Sequence, residues 1–213
     1  MYDLVEIFES LQGEGRNTGR PCVFLRFAGC NLKCPWCDTD VSRRFSSSLE
    51  DLLGELRGFR ARSIVLTGGE PTLQKGMPEL VAALKRAGWW VAVETNGTAD
   101  ADWLAFVDYV ACSPKRGAPL ALSAANEVRV VAEDEAIASF CRSLRGRIAA
   151  DDYYVSPCER NGTIDFATAK SVLSQLDGWS LSVQLNKILG FRLKRHSLPR
   201  FRLTIRAFSP AST

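Results

Sequence analysis

The sequence predicts an α/β protein, a partial TIM-like β/α barrel in one domain. Runs rich in β-formers alternate with amphipathic helical runs along the 213 residues. Repeated β–α units impose a parallel sheet with right-handed crossovers. About six units fit the length, which suits a barrel or an incomplete one. Glycine-rich and polar motifs fall just after strand ends, where α/β folds place their sites.

The elements follow in order. Residues 2–8 and 22–28 read as strands, and the second runs into a cysteine-rich loop. A helix is expected over 48–58. Ser47-Ser48-Leu49-Glu50 reads as a capping box at its start, and Leu49, Leu52, Leu53 and Leu56 form one apolar stripe. A short strand, 63–67, ends in Gly68-Gly69-Glu70-Pro71. The helix over 77–87 repeats the stripe with Met77, Leu80, Val81 and Leu84. Strand 90–95 ends in Asn96-Gly97; a short helix near 101–106 and strand 108–113 follow. Strand 127–132, helix 134–145, strand 152–156, helix 164–176 and strand 179–185 complete the run.

The composition, 46% hydrophobic and 24% charged, is that of a globular chain. Met1 to Glu6 lacks the basic-then-apolar pattern of a secretory leader, and no run approaches the length of a membrane span. Seven cysteines, an odd number, argue against a complete disulfide framework. A reducing cytoplasm is the expected location. The net charge of +3 is uneven: residues 191–213 carry six basic side chains and no acid, which leaves the other 190 at −3. A nucleic-acid-binding core is not expected. Residues 1–190 are read as the domain and 191–213 as a basic extension. There Phe201, Leu203 and Ile205 alternate with Arg202, Thr204 and Arg206, as in an edge strand or flexible tail.

Cys30, Cys34 and Cys37 stand in C-x3-C-x2-C spacing. Three thiolates can grip a metal or cluster and leave one coordination position open for chemistry. A structural zinc needs a fourth ligand. The only histidine, His196, is far away, and Cys22, Cys112, Cys141 and Cys158 are outside the loop. Spacing favours an iron–sulfur cluster and leaves zinc open.

The loop resembles the signature of the radical S-adenosylmethionine (SAM) superfamily. The resemblance implies that Cys30, Cys34 and Cys37 hold a [4Fe–4S] cluster whose fourth iron chelates SAM, and that Trp36 packs over the cluster. Gly68-Gly69-Glu70 is similar to the superfamily's GGE motif, which holds the SAM amino group. Glu94, Ser113-Pro114-Lys115 and Ser156 are implied to continue the SAM site.

Leu11-Gln12-Gly13-Glu14-Gly15, Arg26, Cys37-Asp38-Thr39, Thr67 and Glu94-Thr95-Asn96-Gly97 together resemble the 7-carboxy-7-deazaguanine synthase family over about residues 5–190. That family contracts 6-carboxy-5,6,7,8-tetrahydropterin to 7-carboxy-7-deazaguanine with loss of ammonia, toward queuosine and other deazapurines. The implied roles place Leu11, Gln12, Gly13 and Glu14 along the pterin edge. Arg26 takes the substrate carboxylate, Thr67 stands on the substrate side and Thr39 gives an oxygen to Mg2+. A flavodoxin- or ferredoxin-type reductant and a homodimer are implied as well. The alternative is a radical-activating enzyme for a glycyl-radical protein or ribonucleotide reductase, against which the Gln12 loop and Asp38-Thr39 speak. A non-catalytic metal-binding module is the reading from another class.

The chain departs from the family pattern at three places. Asn126-Glu127-Val128-Arg129 stands for Asn-Glu-x-Lys, Ser156-Pro157 for Gln-Pro, and Gln184-Leu185-Asn186-Lys187 for Gln-x-His-Lys. Asn186 cannot take a proton as histidine can.

Overall fold

The computed structural model describes residues 1–42 and 44–189. The expected strand around Phe201, Leu203 and Ile205, and the whole 191–213 extension, lie outside the described residues. Strands β1 (Tyr2–Leu11), β2 (Pro21–Phe27) and β3 (Phe45–Ser47) precede helix α1 (Leu49–Leu56). Then come β4 (Ser63–Gly68), α2 (Met77–Arg86), β5 (Trp90–Thr95), β6 (Tyr109–Cys112) and β7 (Glu127–Ala132). The chain continues with α3 (Ile137–Leu144), β8 (Asp152–Arg160), β9 (Thr163–Asp165), α4 (Phe166–Leu173), β10 (Ser180–Leu181) and α5 (Leu185–Ile188).

The sheet runs β10-β8-β7-β6-β5-β4-β2-β1-β3, with β9 paired to β8. From β2 to β10 every neighbouring pair is parallel. The order does not return on itself, so the barrel is open, as the sequence predicts.

Several elements differ from expectation. β1 pairs antiparallel with β2 and with β3; the stretch between β1 and β2 is too short for a crossover helix and closes as a hairpin. The helix cap is Ser48, not Ser47. Ser47 ends β3 opposite Tyr2, while the Asp51 N–H donates to Ser48 Oγ at 3.1 Å. The helix near 101–106 is a 3-10 turn, Asp102–Phe106. α3 starts later than expected, with the Ile137 N–H held by Asp134. β8 runs on to Arg160 and turns back into β9, a hairpin the sequence reading missed. The strand expected over 179–185 shrinks to Ser180–Leu181. Ser182 still donates its N–H to Val155, and the chain then turns into α5.

Side-chain alternation sets the two faces of the sheet. Val23, Leu25, Phe27, Ile64, Leu66, Val91 and Val93 point outward and pack with Leu52 and Leu56 of α1 and Leu80 and Leu84 of α2. Val128, Val130 and Val155 do the same against Ile137, Cys141, Ala169 and Val172. The opposite phase faces the barrel interior. It begins apolar, with Cys22, Phe24, Val65, Ala92 and Ala111. Toward the strand C-termini it turns polar, with Arg26, Thr67, Glu94 and Arg129. Among the described residues no helix is long and apolar enough to cross a membrane.

Candidate active site

A cavity of about 680 Å³ opens over the C-terminal ends of the strands. Cys30, Cys34, Trp36, Cys37, Gly68, Gly69, Ser113, Lys115 and Ser156 line it. So do Leu11, Gln12, Gly13, Glu14, Arg26, Thr39, Thr67 and Glu94. The structure thus gathers residues from seven segments that the sequence separates by up to 145 positions. Glu70 and Pro114 are not among the lining residues.

The cysteine loop is held by the end of β4. Gly69 donates its N–H to Phe27 C=O at 2.9 Å and Glu70 to Gly29 C=O at 3.0 Å. A Cβ on Gly69 would overlap the Gly29 carbonyl. Gly69→Ala is therefore expected to push the loop off the sheet and cut reconstituted iron well below that of the wild type. Iron analysis beside a circular-dichroism spectrum checks this, and undiminished iron in a folded variant contradicts it.

Glu70 has a bracing role. Its buried carboxylate accepts from Thr72 N–H at 3.0 Å, Thr72 Oγ1 at 2.8 Å, Thr95 Oγ1 at 2.7 Å and Asn96 N–H at 2.7 Å. These bonds tie the ends of β4 and β5 together, with three donors on Oε1 and one on Oε2. Glu94 accepts from Gln12 Nε2 and Thr67 Oγ1, both at 3.0 Å, which ties it to two residues expected on the substrate side.

All seven cysteines are free thiols. Burial raises the Cys34 thiol while Lys115 pulls it down; coordination would deprotonate it outright. The Leu32 N–H lies 3.5 Å from Cys30 Sγ, a contact of the kind that tunes cluster thiolates. Trp36 donates to Glu133 at 3.3 Å, and the Lys115 ammonium sits 5.3 Å from the Trp36 ring centre. Lys115 itself donates to Ser113 C=O and Oγ, both at 2.6 Å. Ser156 Oγ is buried with no hydrogen-bond partner, and Ser156 lines the cavity, so a polar ligand there would satisfy it. Three free thiols in one cavity, with a basic and a hydroxyl group beside them, fit a cluster carrying SAM.

Thr39 Oγ1 accepts from Arg26 Nη1 at 3.2 Å and lies 3.4 Å from Asp38 Oδ1. Arg26 also pairs with Glu6 at 2.9 Å. Lys187 bridges Asp38 at 2.7 Å and Glu159 at 2.6 Å, fixing α5 to the cysteine loop. Burial would raise the Asp38 carboxyl, but its bond to Lys187 outweighs that and holds it below the usual range. The hard oxygens of Thr39 and Asp38 fit the oxygen preference of Mg2+.

The sequence places Asp38 with Thr39 at the expected Mg2+ position, and marks residues 126–129 and 184–187 only as departures from the family pattern, without a contact for Gln184, Lys187, Glu127 or Arg129. Arg129 is buried and ion-pairs with Glu14, Glu94 and Glu127. A signal existed: Glu127 and Arg129 occupy one phase of a strand whose other phase is apolar.

An open β/α barrel with three thiols over its strand ends defines a radical SAM protein. Residues 25–117 match the family model of the Radical SAM superfamily, and a [4Fe–4S] cluster and SAM are its cofactors. The chain belongs to the 7-carboxy-7-deazaguanine synthase family. It is 42% identical to 7-carboxy-7-deazaguanine synthase of Neisseria meningitidis, covering 89% of this chain and 93% of that one. The Haemophilus influenzae synthase is 41% identical with the same coverage. The crystal structure of QueE from Escherichia coli superposes with a TM-score of 0.72 at 27% identity, over 86% of this chain and 94% of that one.

Proposed function

We propose that this chain converts 6-carboxy-5,6,7,8-tetrahydropterin to 7-carboxy-7-deazaguanine and ammonia. The observation that carries the reading is one cavity lined both by the three thiols and by Arg26, Thr39, Gln12, Thr67 and Glu94. When bound, the cluster and SAM would supply radical chemistry at the substrate's C6–H bond. The chain's own residues present that carbon. Arg26 offers a guanidinium to the substrate carboxylate, and Thr39 with Asp38 would hold Mg2+ beside it. Gln12 and the Gly13 backbone receive the polar edge of the pterin. Ser113, Lys115, Ser156 and the Gly68-Gly69 backbone hold SAM. Glu70 acts behind them by fixing the strand ends.

Residues 1–190 form the catalytic domain in this reading, and a small flavodoxin- or ferredoxin-type protein supplies the electron in the cytoplasm. The homodimer implied by the family is checked by sedimentation. Anaerobic incubation with the carboxytetrahydropterin, SAM, Mg2+ and a reductant is expected to give carboxydeazaguanine by mass spectrometry. A cluster-loaded enzyme that yields none with Mg2+ present refutes the assignment.

A further inference from the structure

Four charged side chains meet on the inner face of the sheet. Arg129, its side chain 6% exposed, lies 3.3 Å from Glu14 Oε2, 3.1 Å from Glu94 Oε1 and 3.4 Å from Glu127 Oε1. One guanidinium thus faces three carboxylates. Two uncompensated negative charges in a site of low dielectric are costly, and taking up a proton relieves the cost.

The donors decide which carboxylate takes it. Glu127 accepts from the Arg16 N–H at 3.0 Å and the Tyr109 hydroxyl at 2.8 Å. Glu94 accepts from Gln12, Thr67 and, at 3.1 Å, Arg129 Nη2. Glu14 has the poorest set: Gln184 Nε2 at 3.4 Å and the 3.3 Å ion pair. Burial raises the Glu14 carboxyl against the pull of Arg129, and the charges of Glu94 and Asp38 add to the rise. Burial pushes Glu94 up too, but Arg129, Gln12 and Thr67 hold it below the usual range. Arg129 on β7, Glu94 on β5, Asp38 on the cysteine loop and, farther off, Lys115 act on Glu14, and Glu127 on β7 sits across Arg129 from it.

We propose that Glu14 is a catalytic acid of this reaction: it meets the substrate protonated and gives its proton to the nitrogen expelled as ammonia. The proposal rests on the function proposed above. Substrate and products balance as one pterin giving one deazaguanine and one NH3. In the elimination the C–N bond breaks with its electron pair going to nitrogen, and the Glu14 proton caps that nitrogen. A neighbouring C–H pair becomes the new ring double bond, and its proton restores Glu14. No oxidant or reductant is consumed. Glu94 stays ionised, and Arg129 is the positioning residue that keeps the two carboxylates in different protonation states.

The test is Glu14→Gln in the cluster-loaded enzyme. An acid acts only while protonated, so wild-type kcat falls as pH rises through the Glu14 pKa. The variant should lose about 10²-fold or more in kcat, with KM changed far less and the high-pH fall abolished. Transfer of the C6 hydrogen to the adenosyl group should continue. Glu14→Asp should bring back the pH dependence at reduced rate. Independently of turnover, infrared spectra at neutral pH should show a protonated carboxylic acid in the wild type and not in Glu14→Gln. An unchanged kcat, a persisting high-pH fall, loss of C6 hydrogen transfer along with product, or no such infrared band each overturns the acid role. A wild-type enzyme that forms no carboxydeazaguanine overturns the function itself.

Discussion

Replacing Cys34 with alanine is expected to abolish SAM cleavage and turnover and to leave the chain folded. Cys34 is the most enclosed of the three loop thiols and lines the cavity with Cys30 and Cys37. Two thiolates cannot hold a cluster that needs three protein ligands and one open iron. The substitution removes little else. The turn is closed by the backbone bond from Cys37 N–H to Cys34 C=O at 3.1 Å, which alanine keeps. Iron and sulfide near four per chain in the wild type and near zero in the variant is the expected result. Circular dichroism should not change. One zinc per chain in the wild type would favour a non-catalytic metal module instead.

Arg129→Met is expected to cost about 3–5 kcal/mol of stability, the range for removing one partner of a buried ion pair. It leaves Glu14, Glu94 and Glu127 facing one another without a cation. The cost has a pH signature. Burial would raise Glu94, but Arg129 and three hydrogen bonds lower its folded-state pKa. Its wild-type contribution is therefore present above the unfolded carboxyl pKa and fades as pH falls through the depressed folded value. In the variant the unpaired Glu94 carboxylate is most costly at neutral pH and relaxes as it protonates. The wild-type advantage in urea should thus be largest near neutrality and shrink toward about pH 4. Arg129→Lys restores one charge at a single point and should recover part of the stability. A methionine variant as stable as wild type at neutral pH contradicts this account of the cluster.

The fold was legible because period-two and helical patterns are local. The stripes of α1 and α2 and the strands β4, β5 and β7 stand close to where the pattern places them. The antiparallel β1–β2 pair was missed although the short stretch after Leu11 leaves no room for a crossover helix. β10 was overread because alternation continues past Leu181, while the backbone leaves the sheet after Ser182. In the site, the cysteines and Gly68-Gly69 announce themselves by spacing. A strand-end motif does not say which side chains its acid meets, so the bonds from Gln12 and Thr67 to Glu94 are visible only in the folded chain. The Arg129 cluster needs the register of β5 and β7 with the loop after β1, and only the folded chain supplies it.

The central claim is that this cavity directs radical chemistry to one carbon of a carboxylated pterin. Anaerobic turnover of substrate deuterated at C6, with SAM and Mg2+, tests it most directly. Carboxydeazaguanine formed together with deuterium in the 5′ position of the adenosyl group is the predicted result. Product formed with no deuterium in the adenosyl group, from an enzyme with its cluster intact, would contradict it.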